Sequence, residues 1–201
     1  MHKPPHVIEI YLQPGEYWFG DENTRIRTIL GSCVAITLWH PHKRIGGMCH
    51  FMLPTRNSTL QSRARPAPTV AVAGARANTM GPDGRYGDEA VQLLCEEIER
   101  SGCVPAEFEA KLFGGGRMFR QGPPKPSAVR RNAATDSIHD RNIEAGRELM
   151  RQHGITVTAE HLGGLGHRQV IFDIWSGHAW MKHTPLPTET LSLLEDHGDL
   201  Q

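Results

Sequence analysis

Apolar and polar positions alternate most clearly between residues 33 and 53. Val34, Ile36 and Leu38 recur with period two, and Cys49, Phe51 and Leu53 repeat the pattern after a break at His40-Pro41-His42-Lys43. Period two is the repeat of a strand whose successive side chains point to opposite faces, and the β-branched content of the first run agrees with that reading. Pro41 suits the second position of a turn. The pattern therefore predicts two antiparallel strands, Cys33–Trp39 and Ile45–Leu53. Centring the turn on Pro41 and His42 sets Cys33 opposite His50, on one face. The other face, with Val34, Ile36, Leu38, Cys49, Phe51 and Leu53, is wholly apolar and is assigned to the core. Directly opposed residues hold their Cβ atoms roughly 4.5–5.5 Å apart, close enough for a thiol and an imidazole to share a proton.

The rest of the chain yields further elements. His6–Leu12 and Ile26–Leu30 read as strands, with Pro14-Gly15-Glu16 as a turn and Gly31-Ser32 as a tight corner. Val91, Leu94, Cys95 and Ile98 recur at helical spacing, predicting a helix over Asp88–Ser101 ended by Gly102. Asp136 or Ser137 starts a second helix that runs to His153, with Ile143, Leu149 and Met150 inward. Phe108–Phe113 and Ile155–Glu160 read as strands, and Gln169–Ile174 with His178–His183 as a hairpin. Gly114-Gly115-Gly116 lacks the context of a phosphate loop and is read as a packing corner. Residues 1–5 are expected to be disordered, 6–184 to form a single domain and 185–201 a tail that includes a short helix, Thr188–Glu195. A long arginine-bearing loop, 55–84, and a second, 121–134, are expected on composition. Strands outnumber helices and the two interleave, so the expected fold is a layered α/β sandwich with a mixed sheet.

Composition narrows the function. Lysine plus arginine equals aspartate plus glutamate at 22 each, which argues against a nucleic-acid or anionic-membrane binder. No run is long and apolar enough for a membrane span, and Met-His-Lys-Pro-Pro-His does not read as a signal peptide, so a cytoplasmic protein is expected. The four cysteines form no CxxC pair, and the twelve histidines have no regular ligand spacing, so neither metal nor cofactor is expected. A zinc site from Cys33, Cys49 and His50 is disfavoured because strand neighbours face opposite ways. The apolar helix faces are accounted for by an ordinary core, so a monomer is expected.

The chemistry concentrates on Cys33 and His50. A thiolate is the reactive form of cysteine, and a nearby imidazolium lowers the thiol pKa from about 8.5. Gly31, Ser32 and Cys33 offer backbone N–H groups to an oxyanion. Thr28, through its hydroxyl or its carbonyl, is the candidate to orient the imidazole. Together these point to acyl transfer through a thioester. A structural Cys–His pair is the competing reading.

Several stretches resemble one family. Leu30-Gly31-Ser32-Cys33-Val34, the run Gly46-Gly47-Met48-Cys49-His50-Phe51-Met52-Leu53-Pro54, and Lys111-Leu112-Phe113-Gly114-Gly115 resemble the CheD family of chemoreceptor glutamine deamidases. Pro14-Gly15-Glu16-Tyr17, Arg141-Asn142, Glu160-His161-Leu162-Gly163-Gly164 and Phe172-Asp173 add to the likeness in the same order along the chain. The resemblance implies a fold similar to the catalytic domain of cytotoxic necrotizing factor toxins. It implies Cys33 as nucleophile, His50 as base and Thr28 as their threonine partner. The implied reaction converts glutamines of methyl-accepting chemotaxis receptors to glutamate with release of ammonia, under restraint by a CheC-type phosphatase. Rival readings are a receptor methylesterase or transglutaminase-like enzyme, and a non-catalytic adaptor.

Overall fold

The computed structural model describes residues 3–56, 81–119 and 137–186. Most of the expected loops 55–84 and 121–134 and the whole of Thr188–Glu195 lie outside the described residues. Near the start, Pro4 accepts the Val7 N–H, and the Lys3 ammonium caps the Val7 carbonyl.

Among the described residues nine strands and two α-helices follow in order: β1 (Ile8–Tyr11), β2 (Tyr17–Gly20), β3 (Thr24–Leu30), β4 (Val34–His40), β5 (Ile45–Phe51), α1 (Gly87–Arg100), β6 (Glu109–Gly114), α2 (Ile138–Gln152), β7 (Thr156–Leu162), β8 (His167–Asp173) and β9 (His178–Thr184), with one 3-10 turn at Pro105–Glu107. The architecture is α/β, but it holds two mixed sheets where the sequence pattern suggested one. A four-stranded sheet runs β1-β3-β8-β9, and a five-stranded sheet runs β2-β5-β4-β6-β7. In each, one edge pair is parallel, β1 with β3 and β6 with β7, and the remaining pairs are antiparallel. Short strand β2 was not foreseen; only four residues long, it follows the Pro14-Gly15 turn and pairs with β5.

Layering follows from the alternation. One face of the five-stranded sheet, with Val34, Ile36, Leu38, Cys49, Phe51 and Leu112, packs under α1 and α2. Each fully buried side chain of this kind contributes roughly 1.5–3 kcal/mol against exposure. The opposite face, with Ala35, Met48 and Phe113, meets Ile26, Leu30, Val170 and Phe172 of the four-stranded sheet. The order of layers is helices, five-stranded sheet, four-stranded sheet. The outer edge of the β3–β8 pairing is fastened by a buried bidentate pair, Arg25 Nε and Nη2 to the Asp173 carboxylate at 2.6 and 3.0 Å.

The β4–β5 hairpin corrects one expectation. Its loop is four residues, Pro41–Arg44, because His40 pairs with Ile45, and Arg44 takes a positive φ of 51° to close it. His50 therefore lies opposite Ala35, not Cys33. The shift is two residues, so the paired side chains keep the faces the alternation assigned to them; β5 ends at Phe51, however, and Leu53, expected in the core, is only partly buried and bridges Tyr86 instead. Helix α1 is also entered differently: Tyr86 stands at its N-cap without a side-chain cap, and Asp88 lies in the first turn.

Candidate functional site

Cys33 ends the corner between β3 and β4 and packs, half-buried, against the core between the two sheets. His50 extends from β5 into the same interlayer space, since it pairs with Ala35 of that core. Continuing the β4–β5 register one residue before Val34 sets Cys33 diagonal to His50, where Cα atoms are roughly 7–8 Å apart, and among the described residues no hydrogen bond joins the two side chains. Cys49 lies on the helix side and joins neither.

Thr28 supplies the third group, from across the sandwich. Its Oγ1 lies 2.8 Å from His50 Nδ1 and 2.9 Å from the Leu12 carbonyl oxygen. A hydroxyl has one proton, and a carbonyl can only accept, so that proton goes to Leu12. Thr28 Oγ1 must then accept from His50 Nδ1–H. This fixes the tautomer: Nε2 carries the lone pair. Nε2 is buried and has no hydrogen-bond partner among the described residues. The His50 backbone is held as well, its N–H by Glu16 and its carbonyl by the Gly15 N–H at 2.7 Å. Of the two groups the sequence offered on Thr28, the hydroxyl does the orienting.

Burial sets the resting charges. It pushes the Cys33 thiol up, against the opposing help of its own N–H and the Ser32 hydroxyl, and it pushes His50 down to about 4, against a smaller pull from the Leu12 carbonyl. The pair therefore rests as thiol and neutral imidazole. The expected imidazolium is disfavoured because no charged group among the described residues offsets its burial in the interlayer space.

The corner itself is clamped. Gly116 N–H donates to the Gly31 carbonyl and Gly115 N–H to the Cys33 carbonyl, each at 2.8 Å. The end of β6 comes this close because Gly114, at φ 116°, has no Cβ; one placed there would stand 2.1 Å from the Cys33 carbonyl oxygen. The packing role expected for this glycine run is thus a service to the Cys33 corner. Asn142 of α2 donates from Nδ2 to the Ser32 carbonyl at 3.3 Å and to the Met52 carbonyl at 2.8 Å. The sequence reading gave Asn142 no part in the site. The available signal was a polar residue on a buried stripe, since Asn142, Gly146, Leu149 and Met150 share the inward face of α2. The N–H groups of Ser32 and Cys33 have no partner in another residue among those described, which leaves them free for an incoming oxygen.

One gathering of metal-type ligands exists among the described residues, at the far end of β4. His40, Cys103 and Glu107 hold their ligand atoms within 4.8 Å of one another. The Lys43 ammonium already sits 2.9 Å from Cys103 Sγ, a cation where a metal ion would bind. Cys33, Cys49 and His50 do not converge.

A half-buried thiol, an imidazole locked with a free nitrogen, and unspent backbone donors at one corner are the groups that thiol-dependent hydrolysis of an amide or ester requires. Comparison with known proteins agrees on the kind of protein. A family model described as CheD chemotactic sensory transduction matches residues 68–183. A probable chemoreceptor glutamine deamidase CheD of Pseudomonas savastanoi pv. phaseolicola is 43% identical over 186 residues, covering 92% of this chain and 90% of the relative. A probable chemoreceptor glutamine deamidase CheD 2 of Albidiferax ferrireducens is 43% identical over 200 residues, covering 100% and 99%. A third relative, from Leptospira interrogans, is 33% identical over 180 residues, covering 90% and 95%. The chain belongs to the CheD family. The family model's match begins after Cys33 and His50, whereas the Albidiferax alignment spans the full chain and so includes both.

Proposed function

We propose that this protein is a protein-glutamine deamidase acting on chemoreceptors, with Cys33 as nucleophile, His50 as general base and Thr28 as the group that orients it. The observation that carries the reading is the buried Nε2 of His50, without a partner among the described residues, on the interlayer face to which Cys33 belongs. Relatives of 43% identity named as chemoreceptor glutamine deamidases support the substrate.

In the first half-reaction Cys33 Sγ attacks the side-chain carbonyl carbon of glutamine while His50 Nε2 takes the thiol proton. Because the resting pair is neutral, proton transfer accompanies attack. The N–H groups of the Gly31-Ser32-Cys33 corner receive the developing oxyanion. His50 then gives its proton to the amide nitrogen, ammonia leaves, and a thioester remains. Water, deprotonated by His50, cleaves the thioester to glutamate and restores the thiol. Each turnover converts a neutral amide and one water into a carboxylate and an ammonium ion, the acid proton of the product passing to the released ammonia. The new charge alters repulsion along a receptor bundle and so its signalling balance.

Intact mass of a receptor cytoplasmic fragment, with and without enzyme, tests the reading. The expected result is a gain of about one dalton per modified site, the amide-to-acid difference after thioester hydrolysis. Loss of a methyl group would indicate an esterase, amine incorporation a transglutaminase-like enzyme, and no change an adaptor.

The proposal extends to finer points. The protein works in the cytoplasm as a monomer, which fractionation and sedimentation would check; no described helix is long and apolar enough to cross a membrane. Its layers are those of the cytotoxic necrotizing factor catalytic domain, which superposition on that domain would check. A CheC-type phosphatase restrains it, which inhibition of deamidation by the purified phosphatase would reveal.

A further inference from the structure

Asn142 is buried in α2, far along the chain from either member of the Cys–His pair, yet it touches the main chain beside both. One Nδ2 proton reaches the Ser32 carbonyl and the other the Met52 carbonyl, two residues past His50. Both acceptors are carbonyls, so the amide's orientation is not ambiguous: the nitrogen faces the corner and Oδ1 faces away, buried and without a partner among the described residues. A buried amide that leaves its own oxygen unsatisfied carries a cost that a leucine of similar shape would not. The stripe around it is otherwise Ile143, Gly146, Leu149 and Met150, which has no need of a polar residue.

The geometry of one peptide bond explains what the nitrogen achieves. No cis peptide occurs among the described residues, so the carbonyl of Ser32 and the N–H of Cys33 point in opposite directions. Asn142 draws the Ser32 carbonyl toward the helix layer. The Cys33 N–H must then project away from the helices, toward the interlayer space that holds the thiol and His50. We infer that Asn142 is a positioning residue for the oxyanion site: it sets the Ser32–Cys33 peptide plane so that the Cys33 N–H meets the developing oxyanion, and it ties that plane to the end of β5. The inference rests on the deamidase reading above.

An oxyanion donor acts on carbonyl attack and has no part in alkylation of the sulfur by iodoacetamide, which forms no oxyanion. That difference separates positioning from mere structural support. Wild type, Asn142→Leu and Asn142→Asp are compared in deamidation of a receptor fragment, in the rate of Cys33 alkylation by iodoacetamide, and in thermal unfolding. Leucine fills the space without donating, and the aspartate carboxylate repels both carbonyls, so either folded variant gives an answer. The expected result is a fall in kcat on the order of 10²-fold with KM nearly unchanged. Alkylation should stay within about threefold of wild type, as expected when the thiol's surroundings persist. Unchanged kcat in a folded variant overturns the inference, and so does a parallel fall of deamidation and alkylation. A wild-type protein that alkylates at Cys33 but never deamidates overturns the proposed function instead, and this assignment with it.

Discussion

Two cysteine–histidine neighbourhoods occur in this molecule, and the closer one is the less equipped. Cys95 Sγ of α1 lies 3.5 Å from Nδ1 of His153 at the end of α2. His50 pairs with Ala35, so Cys33, one residue before β4, is only its diagonal neighbour when the register is continued. Yet among the described residues no second group fixes the tautomer of His153, and Cys95 sits on a helical stripe whose backbone donors are committed to the helix. Burial pushes its thiol up to about 11. Around Cys33 the surroundings are organised in the opposite sense: Thr28 frees one imidazole nitrogen, and three clamped carbonyls leave N–H groups unspent. Contact alone does not make a catalytic pair; the accounting of donors and acceptors around it does.

The largest effect should come from removing one sulfur or the other. Cys33→Ala is expected to lower receptor deamidation to background while leaving the far-ultraviolet spectrum unchanged. Cys95→Ala should keep activity within about twofold and cost stability on the order of 1 kcal/mol, the loss of a small buried group. Activity that survives the first change and vanishes with the second would reverse the comparison.

Thr28 tests the next layer. Thr28→Val keeps the shape but removes the oxygen that accepts from Nδ1, so the imidazole no longer holds its proton on that side. Loss of correct base placement should lower kcat by roughly 10²-fold or more. Thr28→Ser, which restores the oxygen, should recover most of it. Equal activity in the valine variant would show that the 2.8 Å contact is incidental.

How much of this was readable beforehand depends on the range of the interactions. The alternation over residues 34–53 assigned Cys33, His50 and Cys49 to the right faces because side-chain direction is local. The register was missed by two residues because it depends on the Pro41–Arg44 loop, whose length the alternation does not specify. The second sheet was out of reach, since it is built by pairing β3 with β8, whose residues Arg25 and Asp173 lie at opposite ends of the chain. The same holds for Asn142. Its polarity on an apolar stripe was visible, but its acceptors at Ser32 and Met52 come from two distant segments. Gly114-Gly115-Gly116 was rightly read as a corner, though what it packs on emerges only from the fold.

Alkylation kinetics sharpen the comparison at the level of the thiols. Cys49 is fully buried and pushed up to about 12 and Cys95 to about 11; burial raises the half-buried Cys33 thiol too, but there its own N–H and the Ser32 hydroxyl pull the other way. Iodoacetamide followed by peptide mass mapping should modify Cys33 at least about tenfold faster than Cys95, and Cys49 only on unfolding. First labelling at Cys95 would mean that accessibility outweighs the local donors.

The smallest expected change is one of pH, and its near-absence is the informative result. An exposed histidine base would lose its lone pair as pH falls through 6.5. Burial holds His50 neutral down to about 4, so kcat/KM should vary less than about twofold between pH 6 and 7. Stability carries the corresponding signature. The folded pKa lies below the unfolded one, so the unfolded chain takes up the proton first on acidification. The contribution is therefore complete above 6.5 and is lost as pH falls from 6.5 through about 4, amounting to about 3 kcal/mol. Urea unfolding at pH 7 and pH 5 should show a steeper loss for the wild type than for His50→Gln, which has no proton to gain. An acidic limb of activity centred near 6.5, or identical pH slopes for the two proteins, would mean that the ring is open to water. The lone pair on Nε2 would then be shared with solvent, and the advantage of this pair over Cys95 and His153 would shrink to the backbone donors alone.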